Sequence, residues 1–464
     1  MAYFTKYFCS YRLDKKHVLI LNTLTNAIDV VDNETFKNIK NIKDTKSSVI
    51  EPKLLKFLEK RGYVFKRKTD EENLLKKFQS IREKIMHEAV NVNYWTICTS
   101  MECNLRRTYC YENHTQHSNP AKISNLQLKT IFNYITHSKN SNKNNFSKNC
   151  YIAIYGGEPL LKTNYGIVKE ILKFSQRIDY PLHITTNGTT VDSDYLNLLS
   201  QYRDILHMQI TLDGDKFIHD QKRIYCNGRG TFDVICKTID KILNSKIQLN
   251  VRINVDKANI QNLGSLKKCF DTRGWSKNPL FHVYAAPIRY YQKNGPEISD
   301  SKMLDILIRN NWYNDSFIKR LDSSVFDSLF NFFDDNVPNS SVKLWNISYC
   351  AASYGSHYCF VPNGIITTCI RAAGNKRYMI GSFDENNVTI DKDKLSEWKN
   401  RSPFEIEKCK DCKFILLCGG GCAKCAITTH GNINCGICND IEKTLEIYVK
   451  HNKNRFLSQS ILHK

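Results

Sequence analysis

The chain has 464 residues, 41% hydrophobic and 24% charged, which excludes a disordered chain and predicts about two to four domains. It carries a formal net charge of +21, but its Lys and Arg residues are spread evenly and form no Arg-rich stripe with interleaved aromatic residues, so we expect no nucleic-acid partner. There is no apolar run of the roughly 18 residues that a membrane span needs, and no long apolar stretch near residue 1, so we expect a cytoplasmic protein with no membrane partner.

Short apolar segments within residues 1–90 predict a small winged-helix-like module and a linker helix. His17–Val31 predicts two strands around a turn near Asn26. Pro52–Gly62 predicts an amphipathic helix, because glycine commonly ends a helix. The other predicted elements are a helix at Glu34–Lys40, an extended segment at Tyr63–Lys66 and a charged helix at Asp70–Ala89.

Residues 91–288 alternate between short apolar runs and helical stretches. This alternation predicts an α/β fold with a parallel sheet, open or curled into a partial (β/α)6 TIM-type barrel. Functional residues of such sheets follow the carboxyl ends of the strands. The predicted strands are Tyr94–Cys98, Tyr151–Tyr155, Leu182–Thr186, Leu206–Leu212, Leu249–Val255 and Leu280–Ala286. Lys139–Asn149 predicts a polar, solvated loop.

The last third of the chain divides into a helical bridge at residues 289–345 and a cysteine-dense part at residues 346–464. Helices are predicted within Ser299–Leu344, and a basic helix with a frayed tail within Asn439–Lys464. The chain has 18 Cys residues. In a cytosolic protein, cysteines at short spacings indicate metal or iron–sulfur ligation rather than disulfides.

The segment that follows the first predicted strand, Met101–Glu112, contains Cys103 and Cys110 with Arg107 between them. It resembles the C-x3-C-x2-C loop of the radical S-adenosylmethionine superfamily. The flanking residues also fit that family; they are Asn104, Leu105, Tyr109 and Tyr111. The resemblance implies that Cys103 and Cys110 hold a [4Fe–4S] cluster whose open iron binds S-adenosyl-L-methionine, the source of a 5′-deoxyadenosyl radical.

The second cysteine position of this loop holds Arg107. A guanidinium is cationic and does not deprotonate, so it cannot replace a thiolate. Two interpretations stay open. Either Cys98 bends in as a substitute ligand, or a Cys→Arg substitution has left the radical site inactive. The alternative without metal is that Cys103 and Cys110 are inert core thiols.

Tyr155–Pro159, after the second strand, resembles the GGEP element of the same family. The two glycines allow close backbone approach, and the glutamate offers a carboxylate to a cation. The resemblance implies that this element meets the methionyl ammonium of the cofactor. Its residues are Gly156, Gly157, Glu158 and Pro159.

The third and fourth strands are followed by TTNG and TLDG. By resemblance, Asn187 and Thr211 contact the cofactor, and Arg223 or Arg252 binds its carboxylate. Each arginine has a structural role as its alternative. Asp213 is a candidate catalytic acid on the substrate side, or a turn residue.

The cysteine-dense part resembles the SPASM domain, whose pattern is C-x9–15-G-x4-C, then C-x2-C-x5-C-x3-C and a final C. Every spacing fits, and the residues are Cys350, Gly364, Cys369, Cys409, Cys412, Cys418 and Cys422, with Cys435 or Cys438 last.

The SPASM resemblance implies two auxiliary [4Fe–4S] clusters. By position, Cys350, Cys369 and Cys422 hold the first, with Cys359 or an open iron completing it. The second is held by Cys409, Cys412, Cys418 and either Cys435 or Cys438. Structural zinc is the alternative, because all-thiolate zinc sites share such spacings. Ordinary buried thiols are expected at Cys425 and at the scattered Cys9, Cys150, Cys226, Cys236 and Cys269.

Tyr11–Phe65 resembles the peptide-recognition element of enzymes that modify ribosomally made peptides, where a leader peptide adds a strand to a sheet edge. A capping role without a ligand is the alternative. The whole pattern predicts a peptide maturase that forms a thioether or carbon–carbon crosslink, with a leader-bearing precursor peptide and a reductase, flavodoxin or ferredoxin as partners. Two alternatives are a formylglycine-forming enzyme of the anaerobic sulfatase-maturase type and, because of Arg107, a catalytically inactive iron–sulfur scaffold that binds peptide.

Overall fold

The computed structural model describes residues 3–45, 51–88, 94–110, 121–141, 150–289, 295–313, 317–333 and 346–461. Predictions for Tyr111, for residues 142–149 of the polar loop and for residues 334–345 of the bridge lie outside these ranges, as do those for Ala89 and residues 462–464. No helix within the described ranges is long and apolar enough to cross a membrane.

The N-terminal part contains two small antiparallel sheets and three helices. Strands β2, β3 and β4 form one sheet, and β1 pairs with β5. Asn26 adopts a positive φ of 58° between β3 and β4, which is the predicted turn. The elements are β1 (Tyr3–Phe4), β2 (Phe8–Arg12), β3 (His17–Asn22), β4 (Ala27–Asp32), α1 (Asn33–Thr45), α2 (Pro52–Arg61), β5 (Val64–Phe65) and α3 (Lys68–Glu88).

The predicted strands and helices of this part are therefore present. Gly62 ends α2 in the left-handed conformation, and its N–H bonds back to the carbonyl groups of the last turn. The winged-helix assignment itself stays a prediction.

Within the described ranges, a mixed sheet of eleven strands forms the centre of the molecule. Its parallel part contains all six predicted strands in chain order, with each strand beside the next. Ile97, Ile154, Ile184, Met208 and Leu249 are in register with one another, are fully buried and form one apolar row across the sheet. The strands are β6 (Tyr94–Ser100), β8 (Tyr151–Gly156), β9 (Leu182–Thr186), β10 (Leu206–Thr211), β12 (Gln248–Val255) and β13 (Phe281–Pro287), with β14 (Arg320–Leu321) at the edge.

Helices alternate with these strands, as the βα pattern predicts. Most of them bury one apolar face against the sheet. They are α4 (Asn125–Ser141), α5 (Tyr165–Arg177), α6 (Ser193–Ser200), α7 (Lys216–Lys222), α8 (Phe232–Asn244), α9 (Leu263–Thr272), α10 (Asp300–Arg309) and α11 (Ser324–Phe333). A separate short ribbon pairs β7 (Leu105–Arg107) with β11 (Arg223–Tyr225).

The cysteine-dense part continues the central sheet instead of forming a separate one. Its first strand, β15 (His357–Val361), lies parallel to β6, and the next three strands follow antiparallel. Those strands are β16 (Ile365–Thr367), β17 (Met379–Phe383) and β18 (Val388–Ile390). The helices are α12 (Ala351–Tyr354), α13 (Lys392–Asn400), α14 (Glu407–Lys410), α15 (Ile415–Cys418), α16 (Ala423–His430), α17 (Ile441–His451) and α18 (Lys453–Ile461).

The N-terminal part packs on the cysteine-dense part. Tyr7, Leu24 and Phe78 share an apolar cluster with residues of the last third of the chain, namely Ile347, Phe404, Ile415 and Leu416. Thr23 donates a hydrogen bond to the Lys413 carbonyl, and Lys6 forms an ion pair with Asp411 at 2.9 Å. The two ends of the sequence are therefore held together around the cysteines.

Candidate functional site

The loop that follows β6 brings Cys103, Arg107 and Cys110 together. Nη2 of Arg107 donates a hydrogen bond to Sγ of Cys110 at 3.0 Å. Burial raises the pKa of the Cys103 thiol to about 11, and the nearby Arg107 charge opposes that rise. The ribbon β7–β11 fixes this geometry, because Arg107 is paired with Arg223 at its end.

This loop does not fit the cluster that its cysteines imply. A [4Fe–4S] cluster with one open iron needs three protein thiolates, and the loop provides two thiols and a guanidinium. Sγ of Cys98 lies 3.7 Å from Sγ of Cys359 on the adjacent strand, within an apolar cluster that includes Met101 and Val361, and its role as a substitute ligand stays a prediction.

Glu158 is the centre of a hydrogen-bond network at the ends of β8 and β9. Its carboxylate accepts hydrogen bonds from the Thr186 hydroxyl at 2.5 Å and from the backbone N–H groups of Asn187 at 2.6 Å and Leu160 at 3.0 Å. Burial raises the pKa of Glu158, while these three donors and the Arg107 charge oppose the rise. The carboxylate thus ties the GGEP and TTNG turns together.

The two glycines before Glu158 allow these turns to touch the cysteine loop. Gly156 has a φ of 127°, and a Cβ there would lie 2.2 Å from the Ser100 carbonyl oxygen. A Cβ on Gly157 would lie 2.2 Å from the Glu102 carbonyl oxygen. Pro159 contributes its carbonyl, which accepts a hydrogen bond from Nδ2 of Asn164 at 3.2 Å. The close backbone approach that the sequence predicts is therefore present, and it brings the GGEP turn against residues 100–102.

Asn187 connects the same network to the cysteine loop. Its Nδ2 donates to Oδ1 of Asn104 at 2.9 Å, and Nδ2 of Asn104 donates to Oγ1 of Thr189 at 2.9 Å. Asn104 follows Cys103 directly, so the GGEP and TTNG turns and the loop form one connected unit.

Asp213 is fully buried, and its carboxylate accepts three hydrogen bonds from two residues. The Tyr109 hydroxyl donates to one carboxylate oxygen, and Asn254 donates to the other through its backbone N–H and its Nδ2, both at 3.1 Å. The Tyr109 oxygen in turn accepts from Nη1 of Arg223 at 2.9 Å. As the structure stands, Asp213 anchors the cysteine loop to the sheet; its role as a catalytic acid stays a prediction.

The two candidate arginines have different surroundings. Arg252 pairs with Asp322 at 2.7 Å and lies over the Tyr284 ring, so its charge is already balanced within the chain. Arg223 is 2% exposed, and its buried Nε has no hydrogen-bond partner among the described residues. An unmatched buried donor is costly unless a ligand pairs with it. Nη1 of Arg223 also lies 3.9 Å from the Asp213 carboxylate, so both arginines have a carboxylate partner within the chain. The binding of a ligand carboxylate by either arginine stays a prediction. Thr211 lies beside Arg252 at the end of β10.

The C-terminal cysteines form two groups. In the first group, burial raises the pKa of Cys369 to about 12, and the neighbouring Cys422 and Cys350 add to the rise. In the second group, burial raises the pKa of Cys409 to about 11, and the neighbouring thiols add to it; they are Cys418, Cys412 and Cys438. Cys438 thus lies beside the second group, and the choice between Cys435 and Cys438 as a ligand stays a prediction.

The backbone around these groups is shaped by three successive glycines, Gly419, Gly420 and Gly421, with φ values of 64°, 84° and 76°. Arg401, which is 1% exposed, donates to the carbonyl groups of this wrap and of the segment that faces it, namely Gly420 at 2.7 Å, Ile433 at 2.7 Å and Cys435 at 3.1 Å. Thiols of both cysteine groups interact electrostatically with Arg401, so its guanidinium lies near both groups.

All-thiolate groups near a buried cation have the donor chemistry that iron–sulfur clusters use. Zinc would need four donors about 2.3 Å from a single ion. Within the described ranges, no three Cys, His, Asp or Glu side chains converge closely enough for one metal ion. A four-iron cluster instead distributes its ligands over four metal atoms.

Two residues near the site were not predicted from the sequence. Asn254, which holds Asp213, follows Arg252 by two residues at the end of a buried strand, a position that could have suggested it. Cys425 was expected to be an ordinary thiol, yet it contacts Cys422. Its C-x2-C spacing to Cys422 was the available signal.

Comparison with known families identifies the central region. Residues 97–261, which contain the cysteine loop, the GGEP turn and Asp213, match the Radical SAM superfamily. The chain is a radical SAM enzyme. The cofactors of such enzymes are S-adenosyl-L-methionine and iron–sulfur clusters, and auxiliary clusters are typical of those with a SPASM domain. In this radical SAM enzyme the C-terminal thiols fit auxiliary clusters, whereas the loop at Arg107 lacks one of its three thiolates.

Characterised relatives of this radical SAM enzyme include cysteine-type anaerobic sulfatase-maturating enzymes. The one from Clostridium novyi (strain NT) is 25% identical over 337 residues, which cover 70% of this chain and 86% of the relative. The one from Clostridium perfringens (strain 13 / Type A) is 24% identical over 345 residues, covering 70% of this chain and 87% of the relative.

Solved structures share the fold. The native enzyme anSMEcpe with bound AdoMet and Kp18Cys peptide has a TM-score of 0.59 at 19% identity and covers 80% of this chain and 99% of its own. SuiB from Streptococcus suis, bound to its precursor peptide SuiA, has a TM-score of 0.53 at 14% identity and covers 94% of this chain and 98% of its own. The SuiB match thus covers more of this radical SAM enzyme.

Proposed function

We propose that this radical SAM enzyme is a maturase of a ribosomally made precursor peptide and that its product is a thioether or carbon–carbon crosslink. The observation that carries the proposal is coverage: the fold of SuiB, solved with a precursor peptide, covers 94% of this chain, against 80% for anSMEcpe. An enzyme that acts on a leader-bearing peptide needs a part that binds the leader.

The three-stranded sheet β2–β3–β4 is the proposed leader site. In the described residues, β2 and β4 each pair with β3 alone, so each has an open edge. An extended peptide adds to such an edge through main-chain hydrogen bonds. The net charge of +21 favours a leader with acidic residues.

Peptide mass spectrometry tests this function. Short peptides encoded beside the gene are co-expressed with the enzyme under anaerobic conditions, together with a flavodoxin or ferredoxin donor. Loss of two hydrogen atoms in a peptide that keeps its sulfur supports a crosslink. Exchange of a cysteine sulfur for oxygen together with loss of two hydrogen atoms would contradict it and indicate formylglycine. The same enzyme lacking residues 3–45 should lose the modification if the sheet binds the leader.

Formylglycine formation is the second candidate. It is supported by the relatives, because three cysteine-type anaerobic sulfatase-maturating enzymes align with about 70% of this chain. A sulfatase-derived cysteine peptide, offered in the same assay, distinguishes this candidate from crosslink formation.

An inactive iron–sulfur scaffold that binds peptide is the third candidate, and Arg107 supports it. The loop at Arg107 has two thiols, so the site with the open iron is incomplete. The C-terminal cysteine groups keep their thiol donors, and the N-terminal sheet keeps its open edges. Iron content and S-adenosyl-L-methionine cleavage decide between this candidate and the enzymatic ones.

A further inference from the structure

We propose that Cys425 is the fourth protein ligand of the first auxiliary cluster, together with Cys350, Cys369 and Cys422, so that this cluster has no open iron. The spacing pattern of the sequence gives three ligands and leaves the fourth undecided. The structure assigns the fourth position by contact.

Cys422 and Cys425 lie on the same side of one helix end. Cys422 is the residue that precedes α16, and Cys425 is in the first turn of that helix. Their thiols are within hydrogen-bonding contact of each other. Two cysteines separated by two residues are a common way to hold adjacent irons of one cluster.

The rest of the first group lies around this pair. Cys350 and Cys369 both have Cys422 as a close charged neighbour. Lys424 is 8% exposed and lies near three members of the group, namely Cys369, Cys425 and Cys422. Arg371 lies near the same three thiols. Two cations beside four thiolates match the net negative charge that a cluster with four thiolate ligands carries.

The competing ligand, Cys359, is engaged elsewhere. It lies on β15 with its Sγ 3.7 Å from Sγ of Cys98. Both thiols are fully buried and pack in an apolar cluster with Val361 and Ile365. To reach the first group, Cys359 would have to leave a central strand that pairs on both sides. Cys425 needs no such rearrangement.

Four protein ligands leave no iron to which a substrate thiol can bind. The first auxiliary cluster then passes electrons and does not hold the peptide. This inference does not depend on which peptide is modified.

Electron paramagnetic resonance tests the assignment on the full-length chain. The background protein carries Cys103→Ala and Cys110→Ala, so that only the auxiliary clusters contribute to the spectrum. Mild oxidation removes an iron that lacks a protein ligand and creates a [3Fe–4S] signal. We expect little of this signal in the background protein. Adding Cys425→Ala should produce a signal equivalent to about one [3Fe–4S] cluster per chain, whereas adding Cys359→Ala should not increase the signal.

Two further readouts keep the test independent of folding. Added small thiols should shift the spectrum of the reduced Cys425→Ala protein and leave that of the background protein unchanged. Cys425→Ser should suppress the [3Fe–4S] signal partly, because a serine oxygen can also bind iron. The assignment is overturned if Cys359→Ala produces the signal, or if the background protein already shows it in full and responds to the thiol.

Discussion

The guanidinium of Arg107 donates to Sγ of Cys110 at 3.0 Å, within the loop where a radical SAM enzyme holds its catalytic cluster. A cation in this place pairs with a thiol that would otherwise bind iron. Cys103, the other thiol of the loop, also lies near Arg107. A single cationic side chain therefore lies near both cysteines of the loop.

Arg107→Cys should complete the site. The substitution removes the guanidinium and adds the third thiolate, so we expect iron after anaerobic reconstitution to rise from about eight to about twelve atoms per chain. 5′-Deoxyadenosine should form after dithionite and S-adenosyl-L-methionine are added. The matched control is Arg106→Cys, which adds a thiol at the neighbouring exposed position.

Arg106→Cys should leave iron content and 5′-deoxyadenosine at the level of the unchanged chain. If Arg107→Cys behaves like this control, the loop is not an inactivated cluster site. If the unchanged chain already holds about twelve irons and forms 5′-deoxyadenosine, a substitute ligand must exist, and the incomplete-site interpretation is wrong.

Glu158→Gln should destabilise the protein, because an amide N–H₂ cannot accept the hydrogen bonds that the carboxylate accepts from Thr186 and Asn187. A buried donor left without an acceptor costs about 1–3 kcal/mol, so for a chain of 464 residues the melting temperature measured by calorimetry should fall by about 1–3 °C. The control Glu102→Gln breaks a half-exposed ion pair with Lys122 at 3.2 Å and should change the melting temperature little. Equal effects from both variants would contradict the anchoring role.

The strands of the central sheet were predictable because buried residues alternate with partly exposed ones, as in Leu182–Thr186, where the structure has a strand at the same residues. Because Glu158 and Asp213 each follow a strand, the sequence also predicted that they lie at the carboxyl-end edge of the sheet. Their partners were not predictable: Tyr109 reaches Asp213 across 104 positions of sequence, a distance that no local pattern encodes.

The pairing of β15 with β6 escaped prediction for the same reason. The cysteine-dense segment reads as a separate domain, yet Tyr358 pairs with Trp95 across the sheet. The cysteine pattern grouped Cys350 and Cys369 with the distant Cys422, and the structure places these thiols near one another, but the pattern left the fourth member of this group open. The placement of Cys438 near Cys409, and of Cys359 beside Cys98, depends on how distant strands and loops pack.

Gly421→Ala should disrupt the second cysteine group. Gly421 has a φ of 76°, and a Cβ there would lie 2.0 Å from the Ile437 carbonyl oxygen, one residue before Cys438. The backbone that carries Cys438 must then move. We expect iron per chain to fall by about four atoms, the content of one cluster, with the first group retained.

The control for Gly421→Ala is Gly228→Ala. Gly228 also has a positive φ, 83°, but a Cβ there meets nothing within 4 Å. This control carries the left-handed strain of about 1–2 kcal/mol without the clash, so it should lower the melting temperature slightly and keep all the iron. Loss of iron in both variants would assign the effect to backbone strain and not to Cys438.

Acidification should destabilise the protein through buried neutral histidines. Burial lowers the pKa of His219 to about 3 and that of His183 and His357 to about 4. In the unfolded chain a histidine titrates near 6.5, so between that pH and the folded values the unfolded state binds more protons and stability falls as pH falls. Each such histidine costs about 1.4 kcal/mol one pH unit below 6.5.

His219→Gln should therefore weaken this pH dependence. His219 contacts the Asp213 N–H at 3.2 Å and Thr231 Oγ1 at 3.0 Å through its two ring nitrogens, and glutamine offers both kinds of group without titrating. Melting temperatures are compared between about pH 7 and pH 5.5, with visible absorbance confirming that the clusters stay bound. The decline should be shallower in His219→Gln than in the unchanged chain, and it should not change in His430→Gln, which alters an exposed histidine. An identical decline in all three proteins would show that acid sensitivity comes from other groups.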